Sequence, residues 1–341
     1  MNIIIIRFSA LGDVALSSPV ISSLLKNNPA LNIWFVSKKN MSDLFINHDR
    51  FHFIAADLHG RHKGLLGLKK LTNDIFKQVN PDTIVDLHDV IRTKIIKLFF
   101  KFRGIETITF EKGRKEKMDL IKGQIPFKPL PHITKRYLTA FKPILNDIQL
   151  NDGPYIETQD PLSFSFKSTK TYIGIAPFAA HKSKEWGLDK IEQLIKQLSN
   201  YELLFFGAGK QEIDLLNNQF KAHDHCHVIA GKYTLKEELN IMSKLKLMIS
   251  MDSGNMHLAT LANIPVISIW GPTHPFLGFS PLNNEKNIVQ ISKAALPCRP
   301  CSIYGKISNK KAASCAKVSL EKISVNDVLK KINTIIKVPC K

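Results

Sequence analysis

The chain has 341 residues, of which 44% are hydrophobic and 23% charged, and this ordinary globular balance excludes the disordered and fibrous classes. Its length favours two domains, since single hydrophobic cores rarely grow beyond about 250–300 residues. The formal net charge of +19 is concentrated in residues 61–142, with 19 basic and 8 acidic residues, and in residues 293–341, with 11 and 2. Nucleic acid, an anionic membrane surface or a phosphorylated substrate fits such charge, and so does a general solubility role.

The first half of the chain alternates short apolar runs with helical patterns. Residues 3–8 are apolar and rich in β-branched side chains, which is typical of a strand buried on both faces of a parallel sheet. A loop over 9–13 leads into a predicted helix over 15–25. Further strands are predicted at 32–36, 51–55, 83–87 and 107–110.

Polar residues with Pro154 and Pro161 interrupt this alternation over 150–170, which predicts a linker. A second alternating series follows the linker. Its strands are predicted at 172–176, 203–206, 227–230, 247–251 and 266–270, and its helices at 188–198, 211–220, 235–243, 256–262 and 324–337. The pattern predicts an α/β protein with two Rossmann-like domains, whose ligands bind at the carboxyl ends of the strands, between facing halves.

Asp13 is the first candidate for chemistry, because it follows a buried strand and a glycine-containing turn at the start of a helix. A carboxylate in that position can act as a general base towards a hydroxyl group, which is a poor nucleophile near neutral pH. A structural role is the alternative, since an acidic residue in the first helical turn stabilises the helix dipole.

Three further strand-end segments indicate a phosphate or nucleotide site. In 251–257, Asp252, Ser253 and Gly254 open a helix whose amide groups attract phosphate, and His257 lies one turn further along. In 177–186 a loop lysine can neutralise a departing diphosphate. In 206–212 a glycine-rich turn opens a helix, and Glu212 can accept hydrogen bonds from ribose hydroxyls. An ordinary helix cap and solvated loops are the bland alternatives for these segments.

Together these features resemble glycosyltransferase family 9, the lipopolysaccharide heptosyltransferase family. The resemblance runs along nearly the whole chain and is most specific at the Asp-Ser-Gly-x-x-His element with the following Gly-Pro-Thr. The matching motifs are residues 7–13, 85–87, 132–137, 184–186, 252–257 and 271–273. One departure is the loop 178–181, Phe-Ala-Ala-His, which lacks the hydroxyl residues that users of ADP-heptose often carry before the lysine.

The resemblance implies a GT-B fold and an inverting transfer without a metal or another cofactor. It implies that Asp13 is the base and that Lys184 contacts the donor phosphates. Asp252 and His257 would lie at the donor sugar and phosphates, and Thr273 completes the donor-binding set. The expected donor is a nucleotide sugar, with ADP-heptose among the options, and the expected acceptor is an anionic lipid-linked saccharide.

The domain expectation is 1–155 for the acceptor, 170–322 for the donor, and 323–341 as a helix packing back on the N-terminal domain. The two basic segments would then form one positive face beside the acceptor. Four residues in predicted loops of the N-terminal domain are the chosen acceptor contacts: Arg61, Lys63, Arg114 and Lys115.

Residues 90–103 form a helical pattern with an apolar stripe and a basic stripe. The apolar stripe is Ile91, Ile95, Leu98, Phe99 and Phe102, and the basic stripe is Lys94, Lys97 and Lys101. A core-facing helix with a solvated basic face is the favoured interpretation, and a membrane-surface helix is the alternative. The absence of a signal peptide or a long apolar stretch predicts a cytoplasmic protein, with a peripheral contact to an anionic membrane left open.

The five cysteines are an odd number, which favours a reducing compartment. Cys298, Cys301 and Cys315 are expected to be buried thiols. A zinc site is the alternative, but it needs a fourth ligand such as His274 or Cys340.

Two other functions remain as alternatives. A nucleotide-sugar 2-epimerase shares the two-domain plan but needs extra acid and base groups and no acceptor. A non-enzymatic binder of anionic polymers fits only the charge, because the chain shows no nucleic-acid-binding motif, so nucleic acid is not the expected partner.

Overall fold

The structure is a computed structural model that describes residues 1–146, 148–157, 164–307 and 309–336. These residues divide into two units. The first unit consists of the described residues of Met1–Lys112 and Ile133–Glu157. The second consists of Gly113–His132 and the described residues of Thr158–Lys341. The domain boundaries expected from sequence stay predictions, and the segment Gly113–His132 groups with the second unit instead of with its chain neighbours.

The first unit is built on a five-stranded sheet in the order β3-β2-β1-β4-β5, with every pair parallel. The strands are β1 Asn2–Ile6, β2 Asn32–Ser37, β3 Phe51–Ala55, β4 Thr83–Asp86 and β5 Glu106–Thr109. The helices of this part of the chain are α1 Leu11–Ala15, α2 Ser18–Asn27, α3 Gly64–Phe76, α4 Ile91–Lys101, α5 Arg114–Lys122 and α6 Ile133–Thr139. Four isoleucines of β1 have no exposed surface, and burial of each contributes about 1.5–3 kcal/mol.

The second unit has a six-stranded parallel sheet in the order β11-β10-β9-β6-β7-β8. Its strands are β6 Tyr172–Ala176, β7 Glu202–Phe205, β8 Cys226–Val228, β9 Leu247–Met251, β10 Val266–Trp270 and β11 Ile288–Gln290. Its helices after the linker are α7 Leu188–Lys196, α8 Lys210–Phe220, α9 Leu235–Ser243, α10 Gly254–Leu261, α11 Lys310–Glu321 and α12 Val325–Ile336. Both units therefore have the Rossmann-like plan that the alternation predicted.

The C-terminal helix α12 packs on the second unit. Its buried residues Val328 and Ile332 join the core formed by β6, β7 and β9, and the helix contacts α7, β10 and β11. Packing of 323–341 on the N-terminal domain stays a prediction, and residues 337–341 lie outside the described residues.

Helix α4 corrects the expected orientation of the 90–103 stripe. The residues that face the core are Thr93, Ile96 and Phe100, while Ile91, Leu98 and Phe102 are exposed by 78%, 49% and 78%. Ile95 and Phe99 of the predicted stripe pack against the core as partly buried side chains, so the prediction is wrong only for Ile91, Leu98 and Phe102.

No helix among the described residues is long and apolar enough to cross a membrane.

Candidate active site

Asp13 lies just beyond the carboxyl end of β1, in the first turn of α1. The Ala10 amide donates a hydrogen bond to Asp13 Oδ2 at 3.3 Å, so the side chain makes a contact at the helix start, as in the structural alternative. Its side chain keeps 29% of its surface exposed. The Ala10 amide and Arg7 both contact Oδ2 of this carboxylate.

Arg7 holds Asp13 in place. Its guanidinium lies 2.6 Å from Asp13 Oδ2 and also donates to the carbonyl oxygen of Leu87. The aromatic rings of Phe110 and Tyr137 lie 5.9 and 5.6 Å from the guanidinium carbon. Because Arg7 is only 6% exposed, this packing fixes the direction of the carboxylate. The sequence offered Arg7 only as part of the 7–13 motif, so its role as a positioning residue comes from the structure.

The neighbouring strand end is organised by Asp86, which is fully buried. Asp86 Oδ1 accepts the amides of His88 and Asp89 at 2.8 Å each, and Oδ2 pairs with Lys97 at 3.2 Å. His88 Nε2 then lies 3.4 Å from the Ser9 hydroxyl, in the loop before Asp13. Burial, with a smaller contribution from Arg7, lowers the pKa of His88 to about 4, so the ring beside the loop is neutral at pH 7.

A second cluster, which we call the Asp252 cluster, consists of Lys184, Asp252, Ser253, His257 and Thr273. Asp252 and Ser253 stand between β9 and α10, and the side chains of Lys184 and Thr273 converge on Asp252 Oδ2. The Lys184 ammonium is 3.3 Å away and the Thr273 hydroxyl donates at 2.8 Å. Ser253 does not cap the helix through its side chain, which bonds Ser250 at 3.2 Å. A cation and the first amides of an eight-residue helix are therefore presented together, as a phosphate site requires.

His257 lies inside this cluster and is 6% exposed. Burial, with smaller contributions from His132 and Lys184, lowers its pKa to about 3, so the imidazole is neutral at pH 7. Within the described residues its Nδ1 makes no hydrogen bond. A buried nitrogen without a partner is costly, and a ligand group that bonds it recovers that cost.

Lys184 keeps its position through a close contact with Gly305. A Cβ atom placed on Gly305 would lie 2.7 Å from Cγ and Cδ of Lys184, and the backbone has a φ of +92°. Glycine is thus required for two reasons. It permits the positive φ of the backbone, and it leaves room for the aliphatic part of the Lys184 side chain. The Ser183 hydroxyl also donates to the Gly305 carbonyl. This hydrogen bond connects the loop 177–186, which we call the lysine loop, to the turn at Gly305.

Arg299 is a residue that sequence reasoning missed. It has no exposed surface, and burial lowers its pKa to about 10, which leaves it charged at pH 7. Its guanidinium donates to the carbonyl oxygens of Trp270, Gly271, Thr273 and Ile291 and to the side chain of Gln290. Arg299 therefore shapes the backbone that carries Thr273 to Asp252.

The cysteines correct an expectation. Cys298 and Cys315 form a disulfide, with Cα atoms 6.4 Å apart, so they are not the buried thiols that we expected. Cys301 is a half-buried thiol, and among the described residues no group of His, Cys, Asp and Glu side chains could hold a metal ion. His274 instead accepts the amide of Phe276 at 3.1 Å, and Cys340 lies outside the described residues.

Glu212 lies near the lysine loop. Its Oε2 accepts the Ala208 amide at 2.8 Å, and Glu185 Oε1 accepts the Ala179 amide at 3.3 Å. Burial raises the pKa of Glu185, and the negative charge of Glu212 raises it further. Two carboxylates thus border the same loop, and both can accept hydrogen bonds from hydroxyl groups.

The four residues that we predicted to contact the acceptor lie in different units and in different secondary structure. Arg61 is 61% exposed and pairs with both oxygens of Asp74 at 2.8–2.9 Å, while Lys63 is exposed just before α3. Arg114 and Lys115 are exposed at the start of α5, in the second unit. Their predicted placement in loops is wrong, because Gly113 with a φ of +61° turns the chain directly into a helix.

Comparison with known proteins adds to this geometry. Residues 77–311 match the model of glycosyltransferase family 9 (heptosyltransferase). The lipopolysaccharide core heptosyltransferase OpsX of Haemophilus influenzae is 25% identical over 307 residues, which cover 85% of this chain and 84% of that protein.

Solved structures share the fold. The family 9 glycosyl transferase from Veillonella parvula has a TM-score of 0.76 at 20% identity, over 98% of this chain and 97% of that chain. The ADP-heptose lps heptosyltransferase II of E. coli has a TM-score of 0.70 at 18% identity, over 98% of both chains. These likenesses confirm the predicted GT-B fold class.

Proposed function

This chain belongs to glycosyltransferase family 9, and from that premise we propose that it is an enzyme of sugar transfer. It transfers a heptose or a related sugar from a nucleoside diphosphate sugar to a lipopolysaccharide-type acceptor. The observation that carries the proposal is the convergence of Lys184 and Thr273 on Asp252 at the start of α10. A hydroxyl donor, a cation and helix amides at one strand end are the groups that a sugar diphosphate needs.

In the proposed reaction the second unit binds the donor. Lys184 and the amides at Ser253 and Gly254 hold the diphosphate, and His257 Nδ1 bonds a phosphate or sugar oxygen. Glu212 accepts hydrogen bonds from the ribose hydroxyls. These groups act most strongly as the bond between the sugar and the diphosphate breaks, because negative charge then develops on the leaving oxygen.

The first unit supplies the base. Asp13 takes the proton of the acceptor hydroxyl while that oxygen forms a bond to the anomeric carbon of the sugar. The nucleoside diphosphate leaves with the electron pair of the broken bond. A single displacement of this kind inverts the anomeric configuration.

The donor and acceptor classes follow from the relatives. The E. coli structure is of an ADP-heptose heptosyltransferase, and the Haemophilus relative is named for the lipopolysaccharide core. We carry both to this chain as a proposal. The loop before Lys184 makes the donor the first point to test, because its residues 178–181 have no hydroxyl side chain.

The proposed transfer needs no metal ion, since Lys184 and the helix amides supply the positive charge. We expect full activity in excess EDTA. A loss of activity in EDTA that magnesium or manganese restores would contradict this part of the proposal.

The function is tested with a panel of ADP-, GDP- and UDP-sugars, each with and without a lipid-linked core acceptor. We expect acceptor-dependent release of one nucleoside diphosphate, and a product whose anomeric configuration, read by NMR, is opposite to that of the donor. Conversion of the donor to its 2-epimer without an acceptor would establish the alternative enzyme. A failure to bind any nucleotide, as measured by calorimetry, would overturn the proposed donor site.

A further inference from the structure

Helices α3 and α4 lie side by side on one face of the first sheet and present an unusual outer surface. Five of the nine large hydrophobic side chains exposed among the described residues lie on these helices or directly after α4. They are Leu65, Leu66, Ile91, Leu98 and Phe102. We call this surface the α3–α4 face and include in it the exposed bases Lys69, Lys70, Arg92, Lys94 and Lys101.

The arrangement on α4 is specific. At about 100° per residue, Ile91, Leu98 and Phe102 fall within an arc of about 40°. Thr93, Ile96 and Phe100 lie on the opposite side and pack on the core. The bases occupy both flanks of the outer stripe. A helix whose inner face already packs on a sheet does not need a second apolar stripe, so the outer stripe has another use.

The charge of the two helices is one-sided. Together they contain six basic residues and one acidic residue, Asp74, which forms an ion pair with Arg61. The side chain of Lys94 is 65% exposed, and its Nζ lies 3.7 Å from Asp89 Oδ1. Apolar side chains between bases match the boundary between phosphate headgroups and acyl chains of a bilayer.

We propose that the α3–α4 face binds the surface of an anionic phospholipid bilayer, with the outer stripe of α4 inserted and the flanking bases on lipid phosphates. The same charges count against a second copy of the chain as the occupant. Two such faces in contact would bring together ten exposed bases, which repel each other.

Elsewhere among the described residues this combination is absent. Leu215 is the single large apolar side chain exposed on α8, Met118 is the single one on α5, and Tyr304 lies in a segment without helix or strand. The proposal concerns binding to lipid itself and goes beyond the proposed transfer reaction, since lipids without any saccharide are expected to bind.

The test is flotation of the full chain with vesicles of phosphatidylcholine alone or mixed equally with phosphatidylglycerol, free of saccharide lipid. One variant combines Ile91→Ser, Leu98→Ser and Phe102→Ser, and a second combines Lys94→Glu and Lys101→Glu. The matched controls are Leu215→Ser and the pair Lys221→Glu and Lys232→Glu, which are exposed residues of the second unit. Thermal unfolding and nucleotide binding are measured for every variant to show that it is folded.

We expect the wild type to float only with the anionic vesicles. Each α3–α4 variant should lose at least about ten-fold in vesicle affinity, while both controls stay within about two-fold of the wild type. The proposal is overturned if the wild type ignores anionic vesicles, binds both compositions equally, or binds as well after either α3–α4 change. It is equally overturned if the wild type is a dimer that the apolar variant dissociates and vesicles do not bind. Because no acceptor is present, failure here leaves the proposed transferase activity standing, and failure of that activity leaves this result standing.

Discussion

Arg7 lies 2.6 Å from Asp13 Oδ2, and the Ala10 amide donates to that same oxygen. Both contacts fall on one oxygen of the carboxylate, and the side chain keeps 29% of its surface exposed. A general base needs this combination of a fixed direction and access for the acceptor.

Replacing Asp13 by Asn should nearly abolish transfer. The amide keeps the shape of the side chain but takes no proton, so we expect kcat to fall by about 10²–10⁴. Donor affinity, measured by calorimetry, should stay within a few-fold. Asp49→Asn, an exposed residue of the same unit, is the control. More than half of the wild-type turnover at saturating acceptor would remove Asp13 from the role of base.

Replacing Lys184 by Ala should weaken nucleoside diphosphate binding and slow turnover together. Charged hydrogen bonds contribute about 1.5–3 kcal/mol, so we expect a loss of about 10- to 100-fold in affinity. The neighbouring Lys182→Ala is the control, because Lys182 is exposed in the same loop. If both variants bind ADP like the wild type, the lysine loop is not part of the donor site.

The sequence predicted the strands well because their burial leaves a simple signal. All five residues of β9 are buried apolar or small side chains, and the predicted bounds of β9 and β10 agree with the structure. Helix α5 escaped prediction, since its sequence RKEKMDLIK buries only Lys117 and Leu120 and carries no clear apolar stripe. Helix α11 and strand β11 escaped as well.

The site was predictable only where a motif carried it. Asp13 and Asp252 stood at strand ends close to a glycine, and Lys184 stood in the loop after a strand, but Arg299 acts on backbone carbonyls that are 8 to 29 positions away. Such contacts depend on tertiary folding and leave no local pattern. The Cys298–Cys315 disulfide was missed for a related reason, because cysteine spacing alone does not reveal which thiols meet.

Gly305→Ala should lower donor affinity through Lys184. The new methyl group would press on the lysine stem, whose Cγ and Cδ would be 2.7 Å away. Gly104→Ala is a closely matched control, because its φ is +77° and its added Cβ meets nothing within 4 Å. Both variants should unfold at a lower temperature, since alanine is strained at positive φ. We expect weaker ADP binding from Gly305→Ala alone, and equal affinities would show that the contact with Lys184 has no consequence.

His257 makes the stability of the protein depend on pH. Its pKa is about 3 in the folded chain against an ordinary value of 6.5, so the unfolded chain binds a proton that the folded chain does not. Between pH 6.5 and 3, the free energy of unfolding therefore decreases by up to about 1.4 kcal/mol for each unit by which the pH is lowered. The stability contribution of the neutral ring is fully present above pH 6.5.

The measurement is the fall in unfolding temperature between pH 7 and pH 5. It should be smaller for His257→Gln than for the wild type, and unchanged for His59→Gln, an exposed histidine. An identical pH dependence in all three proteins would contradict the buried neutral state of His257.

Lys63 provides the cleanest test of the proposed acceptor contacts. Reversal of Arg61 would also break its ion pair with Asp74, at 2.8 Å, and so would mix a structural effect with any effect on the acceptor. Lys63→Glu changes only an exposed charge before α3. We expect the acceptor KM to rise several-fold and the donor KM to stay constant, because a negative side chain repels an anionic saccharide. Lys26→Glu is the control, since Lys26 is an exposed base in the last turn of α2, in the same unit. Added salt should raise the acceptor KM of the wild type in the same way, because exposed charges are screened over about 8–10 Å at physiological ionic strength. If the acceptor KM is indifferent to Lys63→Glu and to salt, the charge around residues 61–63 serves solubility and the acceptor is recognised elsewhere.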